Sequence, residues 1–136
     1  PDFAEFFIRH IFTEPHSTKQ IEDGFSWSQE TTGAVLGKTV EARMIAPAID
    51  VSEAMFRRIE CPVLMFHGDD DQIQPYAKAE LVARLTSAEL ITIPGGGHSP
   101  QARFPAKINT AITDFLSRKL GTLYGLLLSS PLYQWR

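Results

Sequence analysis

The chain has 136 residues, about one domain's worth, with 43% hydrophobic and 21% charged residues and a formal net charge of −3, the composition of an ordinary soluble protein. No dense run of Lys and Arg is present, which excludes a polybasic surface for nucleic acid or an anionic membrane, and no charged-then-apolar leader is expected at its start. The single cysteine, Cys61, can form no internal disulfide, which fits a reducing, cytoplasmic setting; beside Pro62 and just ahead of an apolar run, it is expected to be a buried structural thiol.

From the amino end, residues 2–12 carry Phe3, Phe6, Phe7, Ile8, Ile11 and Phe12 at spacings that give a broad apolar helical face, with Pro1-Asp2 as its start. After the polar break Thr13-Glu14-Pro15-His16, the run Ser17-Thr18-Lys19-Gln20 has the form of a capping box, Ser17 as N-cap and Gln20 three positions on. The helix it opens runs through Ile21, Phe25 and Trp27 towards Thr31, weakened at Gly24 by about 1 kcal/mol relative to alanine. A third helix is expected over 33–46, ended by Pro47, and 52–59 is helical again. This opening segment shows no strand of its own, so 1–58 reads as a helical cap over something else. There is no internal repeat and no low-complexity tract.

The pattern changes after Cys61. Val63-Leu64-Met65-Phe66 and Leu90-Ile91-Thr92-Ile93 are short runs, apolar or β-branched at every position, which suits strands of a parallel sheet covered on both faces. Between them, residues 76–85 place Ala77, Leu81, Val82 and Leu85 at helical spacing behind Pro75. Strand, helix, strand predicts a crossover joining two parallel strands and lines up their carboxyl ends, where open α/β sheets place their chemistry. Each run ends in a turn with ionisable side chains: His67-Gly68-Asp69-Asp70-Asp71 after the first, Pro94-Gly95-Gly96-Gly97-His98 after the second.

Farther on, residues 106–120 set Ile108, Ile112, Phe115 and Leu116 in a helical stripe expected to cover one face of the sheet. The expected organisation is therefore a cap over 1–58, an α/β core segment over 59–120 and an apolar tail over 121–136, the tail being shorter than the roughly 20 apolar residues of a membrane span. Two parallel strands leave unpaired edges and an unfilled face. The α/β unit is thus expected to be incomplete as a stand-alone domain and to require a missing amino-terminal half.

The run from Pro62 through Gly68, Asp71 and Ile73 to Pro75, followed by Ile93-Pro94-Gly95-Gly96-Gly97-His98-Ser99-Pro100, resembles the two motifs in which α/β-hydrolase-fold enzymes carry their catalytic acid after the seventh strand and their histidine after the eighth. The helix near Pro105 matches as well. The resemblance implies the carboxyl-terminal portion of such an enzyme, two parallel strands with flanking helices behind the latter part of a cap. It further implies that Asp71 and His98 are the acid and histidine of a Ser-Asp-His triad acting on a small, apolar, ester-like or related acyl substrate. The chemistry agrees: a neutral imidazole takes a proton from a serine hydroxyl and returns it to a leaving group, while a carboxylate on its other nitrogen fixes the tautomer and stabilises the imidazolium.

The departure from the family is the nucleophile. The nearest approach to a G-x-S-x-G elbow is Gly24-Phe25-Ser26-Trp27-Ser28, where the last glycine is a serine and no strand precedes it. Ser26 is expected to sit within a helix, the nucleophile and oxyanion hole to lie outside this chain, and the 136 residues alone to be inactive.

Plainer readings stand beside these. Taken singly, Asp71 reads as a cap for the helix near Pro75, and His98 as a hydrogen-bonded loop residue. By motif register Asp69 and Asp70 are solvated turn residues, with Asp70 the alternative acid. His67 ends its strand as a structural or site-lining residue, and His10 and His16 read as surface or polar-network residues. No histidine pair has the spacing of a metal-ligand set, Asp69-Asp70-Asp71 lacks the Gly and Glu of a calcium loop, and no cofactor is implied. Phe3, Phe6, Phe7, Phe25, Trp27 and Met44 suggest an apolar lining, although a stripe of aromatics at helical spacing is more often core than pocket. Two other classes stay open: a non-catalytic α/β-hydrolase-like binding protein, and a flavodoxin-like regulatory domain, which requires strand and helix to alternate ahead of Cys61.

Overall fold

The two runs rich in apolar and β-branched residues after Cys61 do pair. In the computed structural model, which describes residues 3–45 and 49–129, β1 (Leu64–Gly68) and β2 (Glu89–Ile93) lie parallel, with Leu64 opposite Glu89 and Gly68 opposite Ile93. Four helices stand ahead of them in the chain: α1 (Phe3–Ile11), α2 (Thr18–Ser28), α3 (Gly33–Ile45) and α4 (Ile49–Phe56). The crossover between the strands is α5 (Tyr76–Thr86), and α6 (Pro100–Arg103) and α7 (Pro105–Ser129) follow. This is a mixed α/β arrangement, two parallel strands with flanking helices, and it fits part of an α/β-hydrolase fold. The described residues ahead of β1 contain helices and no strand, so the alternation required of a flavodoxin-like domain is not there.

The chain divides into two units, Pro1–Arg103 and Phe104–Arg136, with α7 in the second. In the first, the apolar side chains farthest from solvent are Ile93, 1% exposed at the end of β2, Ala79 on α5 at 3%, and Phe12 just after α1 at 7%. Phe3, Phe6, Phe7, Phe25 and Trp27 on α1 and α2 are exposed instead. Among the described residues no helix is long and apolar enough to cross a membrane.

Several local expectations are corrected. Cys61 is exposed rather than buried, because it stands in the uncovered connection ahead of β1, three positions before the first paired residue. Ser17 does occupy the N-cap of α2, but its hydroxyl makes no capping bond. Instead it donates to Glu14 O at 2.6 Å, across a turn in which His16 takes a positive φ of 63°. Gln20 likewise turns away from the helix start and accepts from Arg103 Nη1 at 3.0 Å. The fourth helix begins and ends earlier than 52–59. The helix after Pro105 runs through Gly121 and Gly125 to Ser129, since an isolated glycine costs a helix only about 1 kcal/mol and the surrounding leucines favour it. The expected stop at Pro47 and the last residues of the tail, 130–136, lie outside the described residues.

Candidate active site

Since β1 ends on Gly68 directly opposite Ile93, the two ionisable turns leave the sheet side by side. Gly68 makes this possible: a Cβ there would fall onto the Gly96 carbonyl and lie 2.5 Å from Gly97 O, so the second turn passes over the end of the first strand with no room for a side chain. The turns are then stitched together. The Asp69 N–H donates to Ile93 O at 3.3 Å and the Asp70 N–H to Gly96 O at 3.0 Å. The Gly95 N–H donates to Asp69 Oδ1 at 2.6 Å. Asp69 is therefore exposed but engaged, the acceptor that ties one turn to the other rather than a merely solvated residue.

This stitching brings Asp71 to His98. Asp71 Oδ1 accepts the backbone N–H of Ile73 at 2.8 Å and of Gln74 at 2.9 Å, while Oδ2 accepts from His98 Nδ1 at 2.8 Å. The carboxylate has no proton to offer, so Nδ1 carries it and Nε2 is left as the basic nitrogen. The Asp71 side chain is 4% exposed and that of His98 34%, a sheltered carboxylate behind a more accessible imidazole. Burial raises the Asp71 pKa, but the Gln74 N–H, the His98 ring, the Ile73 N–H and the charge of His98 outweigh it and hold the carboxyl below its ordinary value. The oxygen that caps the turn and the oxygen that meets His98 thus belong to one carboxylate. The turn it caps lies ahead of α5, whose own N-cap residue, Pro75, makes no side-chain capping bond.

His67 on β1 lines the same place. Its Nδ1–H donates to Gly68 O at 2.8 Å and its Nε2 stands 3.4 Å from Asp71 Oδ2, so that oxygen lies between two imidazoles. The Tyr76 ring meets His67 edge-on with centroids 5.6 Å apart, and the Tyr76 and Thr92 hydroxyls share a hydrogen bond. Other candidates lie elsewhere: His10 donates to Phe6 O within α1, His16 is exposed in the turn before α2, and Ser26 is exposed on α2. Asp70 is exposed and enters the stitching through its backbone. Among the described residues no group of three or more His, Cys, Asp or Glu is placed to hold a metal ion.

The structure also adds residues that no motif marked. Thr13 Oγ1 donates to Asp70 O at 3.3 Å, and Glu14 Oε1 accepts the Gly97 N–H at 2.8 Å. In the sequence both belong to a polar break between two helices, and only their placement between two apolar stretches hinted at burial.

Fold and pair together define a class: part of an α/β-hydrolase-type sheet, with a hydrogen-bonded carboxylate and imidazole at the carboxyl ends of adjacent parallel strands, where such sheets carry chemistry. No family model matches the chain. A curated protein of Synechocystis sp. named "Putative non-heme chloroperoxidase", of the α/β-hydrolase family, is 36% identical over 61 residues. That stretch covers 43% of this chain and 22% of the relative, so the chain spans about a fifth of the length of the protein it matches. The likeness supports the α/β-hydrolase superfamily and nothing narrower.

Proposed function

We propose that Asp71 and His98 are the acid and the general base of a nucleophile-His-Asp triad that hydrolyses an ester or related acyl compound. The nucleophile and the oxyanion hole would come from a part of the fold that these residues do not supply. The observation that carries the reading is the 2.8 Å contact from His98 Nδ1 to an Asp71 carboxylate whose other oxygen is fixed by two backbone N–H groups. In the forward step the nucleophile's hydroxyl gives its proton to His98 Nε2 as its oxygen attacks the carbonyl carbon. Asp71 stabilises the imidazolium so formed, and His98 then returns the proton to the departing alcohol. Hydrolysis of the acyl intermediate repeats the cycle with water in place of the nucleophile. The exposed aromatic side chains of α1 and α2 favour an apolar substrate.

Two measurements test this. Long-range proton–nitrogen correlation spectra of the 136-residue chain should show the His98 ring protonated at Nδ1 near neutral pH, and Asp71→Asn should abolish that preference; a ring that ignores the substitution would remove the pair. Short-chain nitrophenyl esters should not be turned over by the same chain. Turnover that His98→Ala eliminates would put the nucleophile inside it and overturn its assignment elsewhere.

A further inference from the structure

Residues 11–20, between the body of α1 and the first turn of α2, hold the His98 loop from both sides. Two successive N–H groups of that loop donate to this one segment, Gly97 to Glu14 Oε1 at 2.8 Å and His98 to Ile11 O at 2.9 Å. Gly97 is pressed so closely against it that a Cβ would lie 2.7 Å from Ile11 O and 2.9 Å from Thr13 Oγ1. Past His98, the Arg103 guanidinium donates to Pro15 O at 2.8 Å and to Gln20 Oε1 at 3.0 Å. On the acid's side, Thr13 donates to the carbonyl of Asp70, the residue before Asp71.

Glu14 is the unusual member. It is 6% exposed, its Oε2 is buried without a partner, and so is Arg103 Nε. A buried carboxyl group with one oxygen unmatched is destabilising by itself, and a helix-to-helix connection has no need of one. What Glu14 does provide is an acceptor, 83 positions away in sequence, for the N–H of the Gly96–Gly97 peptide, next to the one that enters His98.

We propose that Glu14 is a positioning residue for His98. By accepting the Gly97 N–H it fixes the Gly96–Gly97 peptide, one unit ahead of the peptide that the His98 N–H ties to Ile11 O, and so helps to keep Nδ1 on Asp71 Oδ2. The cap segment is then a support of the site rather than only a cover. This rests on the Asp71–His98 pair proposed above. Because only Oε1 is used, the requirement is for an acceptor and not for a charge.

Hydrogen exchange and ring-nitrogen spectra of the full 136-residue chain test it. In the unaltered chain the Gly97 amide should be protected, and a freely exchanging Gly97 overturns the proposal outright. Glu14→Gln keeps the acceptor and should leave the His98 ring signals in place. Glu14→Met, similar in size but without an acceptor, should speed Gly97 exchange by about tenfold, the worth of one net hydrogen bond, and move the His98 ring signals towards those of Asp71→Asn, while the β1 and β2 amides keep their protection. If Glu14→Met leaves ring and exchange unchanged, or if Glu14→Gln displaces the ring as far as Glu14→Met does, the assignment fails. Should Glu14→Met not fold, the unaltered Gly97 amide and Glu14→Gln decide. A ring that ignores Asp71→Asn sinks the triad reading itself; one that responds to Asp71→Asn but not to Glu14→Met sinks only this inference.

Discussion

Asp71 divides its work between two oxygens, and that division sets what its replacement does. Asparagine can keep the turn, since its carbonyl oxygen can still accept the Ile73 and Gln74 N–H groups now bound by Oδ1, but it then presents an amide N–H to a His98 nitrogen that needs an acceptor. On the triad proposed above, Asp71→Asn in a protein that joins this chain to a nucleophile should leave KM nearly unchanged and lower kcat by about 10⁴-fold, the cost of the wrong imidazole tautomer, as steady-state ester kinetics would show. The same carboxyl makes stability depend on pH. Its folded pKa lies below the ordinary 3.8, so the folded chain binds this proton less readily than the unfolded one. The stabilisation is full above the ordinary value and is lost as pH falls through the lower folded value. Urea midpoints measured from about pH 5 down to about pH 2 should therefore fall less steeply for Asp71→Asn than for the unaltered chain. Gly68→Ala attacks the geometry instead: the added methyl meets the Gly96 carbonyl, and the His98 loop must lift. The expected result is lost Nδ1 protonation at His98 and a lower unfolding midpoint, in a variant that keeps the chemistry of every ionisable group.

At the scale of elements, α7 offers the clearest separation of local from tertiary effects. Gly121 and Gly125 lie within it, and a Cβ at either would meet nothing within 4 Å. Alanine there should stabilise α7 by about 1 kcal/mol at each position, visible as higher helicity on heating in circular dichroism; no gain at either position would mean that something covers them. These two glycines also show why helix boundaries were harder to read than helix existence. The strands and α5 were legible because their apolar spacing and flanking turns pointed the same way, whereas the helix expected over 106–120 continues to Ser129, leucine propensity outweighing the two glycines. The capping-box pattern at Ser17 and Gln20 failed differently, since both side chains were drawn off by partners, Glu14 O and Arg103, that no local pattern encodes. Asp71 and His98 were legible because parallel strand ends bring successive turns together. Glu14 was not, because its role depends on a partner 83 positions away.

For the molecule as a whole, the question is what the uncovered apolar surface does. The sheet among the described residues has two strands, so each keeps an unpaired edge, and Leu64, Met65 and Phe66 on β1 are only half-buried. Phe3 at 64%, Phe6 at 62% and Trp27 at 62% exposure add aromatic surface on α1 and α2. Open edges and exposed apolar patches are the usual drivers of association, and a net charge of −3 gives only weak repulsion to oppose them. The 136-residue chain should accordingly self-associate as its concentration rises, more strongly at 25 °C than near 4 °C because apolar attraction weakens on cooling. Sedimentation velocity at the two temperatures checks this. A completing half of the kind proposed above should suppress the association, since it would cover the same edges. A chain that stays strictly monomeric at every concentration would mean that these surfaces are satisfied within it, and with that the case for a completing half would fall.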